Sequence, residues 1–180
     1  LHQPHNLAGI EAAARHFPGV AQIACFDTAF HRTQSRAAAT FALPPRFYDQ
    51  GILRYGFHGL SYEYIARRLA AEDAALGQAR LIVAHLGNGA SLCAISGGQS
   101  RATTMGFTAL DGVPMGTRSG QLDPGVVLHM LDNLQMNSAK IAHLLYHDSG
   151  LKGMSGISQD VREIEAAGTD AAEAALDHFA

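Results

Sequence analysis

Four short stretches carry residues able to do chemistry. Asp27 closes the apolar run Ile23-Ala24-Cys25-Phe26 and opens the polar segment 28–32. A carboxylate at such an exit can hold a metal or act as a nucleophile, or simply cap a turn. His58 stands between Gly56-Phe57 and Gly59, ahead of a helical pattern, where it either meets a ligand or completes a turn by hydrogen bonding. Arg118 lies in Met115-Gly116-Thr117-Arg118-Ser119-Gly120, whose glycines let a guanidinium reach inward. Its planar fork suits phosphate through two parallel charged hydrogen bonds; a surface arginine on a flexible loop is the plain alternative. The fourth stretch, His85-Leu86-Gly87-Asn88-Gly89-Ala90-Ser91, sets an Asn-Gly turn between two apolar runs. Glycines there remove side chains where backbone amides could meet an anion, although by itself the stretch reads as an ordinary tight hairpin.

Two other constellations offer less. His143 and His147 are four apart on a predicted helix and share a face, as metal ligands can. No HExxH glutamate accompanies them, and Leu144-Leu145 marks a packed helix, so they read as structural or surface histidines. No GxSxG elbow supports a Ser-His-Asp arrangement.

The elements that must position these residues are legible from period and punctuation. Helix is expected over residues 6–16 and a strand over 20–26, followed by a break at Pro44-Pro45 and an irregular segment to Tyr55. Ser61 is placed to cap a helix with apolar positions Tyr62, Ile65, Ala66 and Leu69. Strands over 81–86, 91–95 and 99–104, the first two read as buried, form an antiparallel meander with turns at Gly87-Asn88-Gly89 and Gly97-Gly98. A long connection over 106–124 carries Arg118 and Asp123, and connections of that length are usually functional. Helices over 125–134, 138–147 and 159–180, the last interrupted at Gly168, close the chain. The pattern is an α/β layered domain.

Composition narrows the partners. The 180 residues are 47% hydrophobic and 16% charged, with a net charge of -3 and no basic run, so neither a nucleic-acid nor a membrane surface is indicated. A small molecule is the expected ligand. Cys25 and Cys93 lie far apart in apolar runs and read as buried thiols, which favours a reducing, cytoplasmic setting. Leu1 is not an initiator Met, and Ala180 falls inside a helical pattern without a stop signal, as expected of a fragment of a longer protein.

The order of the motifs carries more than any one of them. Phe26-Asp27-Thr28-Ala29-Phe30-His31, Arg54-Tyr55-Gly56-Phe57-His58-Gly59, residues 85–91, and Met115-Gly116-Thr117-Arg118-Ser119-Gly120 with Asp123-Pro124 closely resemble the acetate kinase family in sequence, order and spacing. The resemblance runs from Leu1-His2-Gln3-Pro4 to Ser155-Gly156-Ile157-Ser158-Gln159-Asp160-Val161-Arg162, essentially the whole chain. It implies an α/β fold of the actin, hexokinase and Hsp70 type, ribonuclease H-like, with a mixed sheet. Residues 1–26 would end a first lobe and residues 27–180 would form most of a second, nucleotide-binding lobe, truncated at its C-terminus.

The resemblance also implies reversible phosphoryl transfer between ATP and acetate, giving acetyl phosphate and ADP, with Mg²⁺ or Mn²⁺ and a homodimer at full length. Asp27, His58 and Arg118 match catalytic positions of the family. His85, Leu86, Gly87, Asn88 and Gly89 match its phosphate-binding hairpin, and Asp160, Val161 and Arg162 match a segment contacting the adenosine part. Phe57 and Ala109 fall on the acyl site and His2 near it; Ala109 stands where many members carry a Pro, which would widen the site toward propionate. Leu60 and Tyr62 depart from the Thr and His common after Gly-Phe-His-Gly and are expected to be packing variants. Family parts outside these residues include the metal ligands, so the isolated chain is expected to be inactive. The rival readings are a propionate or butyrate kinase and a non-catalytic nucleotide-binding segment of the actin or Hsp70 kind, which would not need Phe57-His58 and Arg118 together.

Overall fold

The computed structural model describes residues 3–180, so His2 lies outside the described residues. A first helix, α1 (Gln3–His16), is followed by an extended stretch and a 3-10 turn (Ala29–Thr33). Short helices α2 (Arg36–Ala39) and α3 (Pro45–Asp49) precede α4 (Gly59–Glu72) and α5 (Ala74–Gln78). Strands β1 (Arg80–Leu86), β2 (Ala90–Ser96) and β3 (Gln99–Thr103) then form an antiparallel sheet in the order β1-β2-β3. Helices α6 (Pro124–Asp132), α7 (Ser138–His147), α8 (Gly150–Ser155), α9 (Val161–Ala167) and α10 (Asp170–Phe179) complete the described residues.

The meander forms where the sequence places it. Leu86 pairs with Ala90 around Gly87-Asn88-Gly89, and Ser96 pairs with Gln99 around Gly97-Gly98. Only the second turn has the left-handed backbone of a type I′ hairpin, with φ of 57° and 68° at its two glycines. In the first turn neither glycine has positive φ, so its glycines serve close approach rather than a special dihedral.

Three apolar clusters hold the layers. Tyr62 and Ala66 of α4 pack on Cys93 and Ile95 of β2, which fixes the helix over one sheet face. Ala90, Met105 and Met115 form a second cluster, against which Phe57, Ala109 and Phe179 pack. Leu151, Ile164, Ala172 and Ala175 build a third between the last helices, and Phe179 touches this one too. The C-terminal helices are thereby wedged beneath the long loop that carries Arg118.

Several expectations are corrected here. Residues 20–26 form no strand, and Ile23 is 86% exposed, because among the described residues no neighbouring strand offers a ladder. Cys25 is exposed, whereas Cys93 is buried as expected. Strand β1 is not buried on both faces: Ile82 and Leu86 point to solvent, as an edge strand permits. Helix α4 starts at Gly59 with His58 as its N-cap, so Ser61 sits in the first turn instead of capping it. The segment before Tyr55 contains α3, which Pro45 starts by pre-setting φ at the first turn.

Candidate active site

The Gly-Phe-His-Gly loop is folded by its glycines and by two side chains from residues 27–31. Gly56 has φ of 71°, and a Cβ there would lie 2.6 Å from the His31 ring, so no other residue fits without rearrangement. Gly59 donates its N–H to the Asp27 carbonyl at 2.8 Å, and a Cβ would run into that same carbonyl. Buried His31 lies between the loop and the sheet: Nε2 is 2.9 Å from the Phe57 carbonyl and Nδ1 is 2.9 Å from Ser100 Oγ. Since a carbonyl can only accept, Nε2 donates and Nδ1 accepts from Ser100. Burial lowers the His31 pKa, keeping it in that neutral form.

His58 is the strained member of the site. Its backbone is left-handed, with φ of 59° and ψ of 21°, a conformation that costs a non-glycine residue about 1–2 kcal/mol. The strain is held by Asp27, whose Oδ2 accepts the His58 backbone N–H at 2.7 Å. The ring is stacked on His85, with centroids 4.0 Å apart and 20° between planes. Its Nδ1 lies 2.8 Å from Ser91 Oγ, and His85 Nδ1 lies 3.0 Å from Ser61 Oγ. Burial, then the neighbouring His85 against a smaller opposing pull from Asp27, lowers the His58 pKa to about 4. At neutral pH the ring is uncharged.

The turn and the arginine loop close on each other. A Cβ on Gly89 would lie 3.1 Å from Arg118 Nη1 and 3.3 Å from His58 Nε2, so both cationic or polar tips face the bare backbone of that glycine. Arg118 Nη1 donates to the Ala109 carbonyl at 3.1 Å, which aims the guanidinium. Gly116 donates its N–H to the Asn88 carbonyl at 3.1 Å, and a Cβ on Gly116 would collide with the Asn88 side chain. A cavity of about 600 Å³ opens here, lined among others by Phe57, Asn88, Ala109, Arg118, Tyr146 and His147. Two donor-bearing side chains, Arg118 and His58, therefore converge on one glycine-flanked turn beside a partly aromatic pocket, an arrangement suited to binding an oxyanion with an apolar tail.

Asp160, Val161 and Arg162 form the start of α9. Asp160 caps α9 by accepting the Arg162 backbone N–H at 3.0 Å, and its carboxylate also takes two bonds from the Arg162 guanidinium. That pairing holds the Asp160 carboxyl at about 2. Gln159, the preceding residue, packs on Gly116, which connects this cap to the turn.

Sequence reasoning missed the role of the groups behind the ring. Ser91 and Tyr62 are fully buried, at 0% exposure, and hydrogen-bonded to each other. Tyr62 is thus more than a packing variant. Burial pushes its phenol up to about 12. His147 lines the cavity, while His143 pairs with Asp148 at 3.1 Å. Among the described residues no group of three His, Cys, Asp or Glu could hold a metal ion. Asp27 is a single carboxylate with one oxygen engaged by His58, which fits a cation held mainly by a nucleotide's phosphates rather than by a protein cage.

A family model described as the acetokinase family matches residues 1–180. The chain belongs to the acetokinase family. Its relatives include acetate kinases from Methylocella silvestris, 60% identical over 179 residues, and Nitrobacter hamburgensis, 55% identical over 179 residues. Each match covers 99% of this chain and 44% of the relative, so the chain spans less than half the length of these curated members. Among solved structures, a propionate kinase from Francisella tularensis superposes with a TM-score of 0.94 at 40% identity, covering 99% of this chain and 47% of that one. An acetate kinase from Porphyromonas gingivalis superposes with a TM-score of 0.90 at 40% identity, covering 99% of this chain and 46% of that one. The fold is therefore that of acetokinase-family enzymes, the actin and hexokinase type that the motifs imply. No described helix is long and apolar enough to cross a membrane.

Proposed function

We propose that this chain is the part of an acetate kinase that binds and transfers the phosphoryl group, moving it reversibly between ATP and acetate with acetyl phosphate and ADP as products. Residues 27–180 would belong to its nucleotide-binding lobe, in a cytoplasmic homodimer. The convergence of Arg118 and His58 on Gly89 carries the reading, supported by the family membership. In phosphoryl transfer a protein mainly positions reactants and neutralises charge spread over three equatorial oxygens. Arg118 supplies a fixed positive charge, the neutral His58 a hydrogen bond, and Gly87 and Gly89, on either side of Asn88, bare backbone against which phosphates can lie. His85 stacks behind His58, and Asp160 to Arg162, joined to the turn through Gln159 and Gly116, would contact the nucleotide's adenosine part.

Acetate has a pKa near that of Glu, about 4.3, so it is already ionised at neutral pH and needs no base. Asp27 accordingly acts by orienting His58 through its backbone, and its carboxylate would help hold, through water, the Mg²⁺ or Mn²⁺ ion of a bound nucleotide. That ion supplies charge neutralisation on the phosphates when bound. Phe57 and Ala109 border the space for the acyl group. A propionate preference is the second reading, favoured by the small Ala109 side chain and the likeness to a propionate kinase. One methylene is worth only about 1–3 kcal/mol of discrimination, so the two acids compete at one site.

The experiment is an assay of acetyl phosphate formation from ATP and acetate, in a protein of the relatives' length carrying this segment, alongside Arg118→Ala. Turnover that collapses in the variant supports the proposal. A folded protein that binds ATP yet forms no acyl phosphate from acetate or propionate overturns it in favour of a non-catalytic nucleotide-binding role.

A further inference from the structure

A neutral imidazole carries one proton, and only one of its two nitrogens can offer an N–H to an anion. The groups behind His58 decide which. His58 Nδ1 lies 2.8 Å from Ser91 Oγ, and Ser91 Oγ is also hydrogen-bonded to the Tyr62 hydroxyl. Both residues are at 0% exposure, so bulk water offers neither an alternative partner. Among the described residues Ser91 Oγ is the one hydrogen-bond partner of the Tyr62 hydroxyl. Its own O–H must then donate, and Ser91 Oγ is the acceptor within reach. Were Ser91 to point its hydrogen at Tyr62, the phenol proton would be buried without an acceptor, an arrangement native interiors avoid. The Ser91 hydrogen is therefore left for His58 Nδ1.

We infer that Tyr62 and Ser91 are positioning residues that lock His58 as its Nε2–H tautomer, aiming an N–H rather than a lone pair into the space shared with Arg118 and Gly89. The relay runs one way: Tyr62 O–H to Ser91, Ser91 O–H to His58 Nδ1. Stacking on His85 fixes the ring plane, and the Asp27 bond fixes the backbone beneath it. Because burial keeps the ring uncharged at neutral pH, the choice of tautomer matters; a doubly protonated ring would donate from both nitrogens. The functional consequence rests on the phosphoryl-transfer reading, whereas the tautomer itself does not.

The test is ¹⁵N NMR of histidine-labelled protein at neutral pH, comparing the parent with Ser91→Ala, Ser91→Thr and Tyr62→Phe. The parent and Ser91→Thr should show the His58 proton on Nε2 alone, and Ser91→Ala and Tyr62→Phe should show both tautomers. A parent His58 protonated at Nδ1, or an unchanged spectrum in Ser91→Ala, overturns the inference. If Ser91→Ala does not fold, the parent spectrum and Tyr62→Phe, which lacks a single oxygen, still decide it. In activity assays Ser91→Ala should lower kcat about 10- to 100-fold with KM for acetate nearly unchanged, Tyr62→Phe about three- to tenfold, and Ser91→Thr should recover most of the rate. An inactive protein that nonetheless shows the Nε2–H spectrum sinks the proposed function and leaves the tautomer lock standing.

Discussion

Asp27 Oδ2 accepts the backbone N–H of His58 at 2.7 Å, so a carboxylate holds a histidine in a left-handed backbone through the main chain, not through the ring. The two residues are 31 apart in sequence, and this bond joins the loop after residue 26 to the start of α4. Asp27→Ala should therefore lower unfolding free energy by about 2 kcal/mol, the cost of losing a hydrogen bond to a charged acceptor. Asp27→Asn keeps an oxygen acceptor and should cost less than about 1 kcal/mol. Denaturant unfolding of the two variants checks this; equal losses would show that charge rather than the hydrogen bond is what counts.

The histidines set the acid response. His58 titrates at about 4 instead of 6.5, so the unfolded chain takes up a proton at higher pH than the folded one. Its contribution to stability is full above about 6.5 and is lost as pH falls toward 4. The loss is at most ~1.4 kcal/mol per pH unit for this group, less because the ring is partly exposed. His31 acts in the same direction. His58→Asn, which tolerates a left-handed backbone, should flatten the slope measured by urea unfolding across mildly acidic pH. A slope unchanged from the parent would assign the acid sensitivity elsewhere.

Gly89 offers a separation of activity from stability. Its backbone φ is not positive, so alanine is conformationally acceptable there, but the new methyl would lie 3.1 Å from Arg118 Nη1 and 3.3 Å from His58 Nε2. Gly89→Ala should change unfolding free energy by less than about 1 kcal/mol while lowering kcat about 100-fold, since small misplacements of catalytic groups are costly. Retention of full activity would mean that phosphate does not lie against this turn.

Arg118 is aimed by the Ala109 carbonyl, a contact a lysine could reach with only a single ammonium. Arg118→Lys should therefore reduce kcat by about 1000-fold with little loss of stability, because a point charge does not replace a planar fork at the transferring group. Steady-state kinetics with a thermal melt of the same sample measures both.

Local chemistry made much of this fold readable. The bounds of α7, Ser138–His147, coincide with the periodic stretch, Asn137 caps it, and Gly168 ends α9 in a left-handed turn as its position suggests. The meander follows from apolar runs and glycine turns. The failures share one cause. The apolar run at 20–26 resembles a strand, but a strand exists only where another edge pairs with it, and that is not a property of seven residues. Asn88-Gly89 resembles a type I′ turn, yet its glycine answers to Arg118 and His58 across the fold. Asp27, His58 and Arg118 are detectable by type and neighbours, whereas the stretch that ends at Ser91 and the packing position of Tyr62 do not mark these two as partners of the His58 ring. Their role depends on a hydrogen-bond direction that only burial and three-dimensional neighbours define.

The bond from the Gly116 N–H to the Asn88 carbonyl has a consequence of a different kind. It is made by peptide groups alone, so it behaves as a main-chain rivet that side-chain replacement at neighbouring positions leaves in place. The gap between the turn and the arginine loop is thereby written into the polypeptide itself. Chemistry on either side of that gap can be retuned by mutation while its width stays the same.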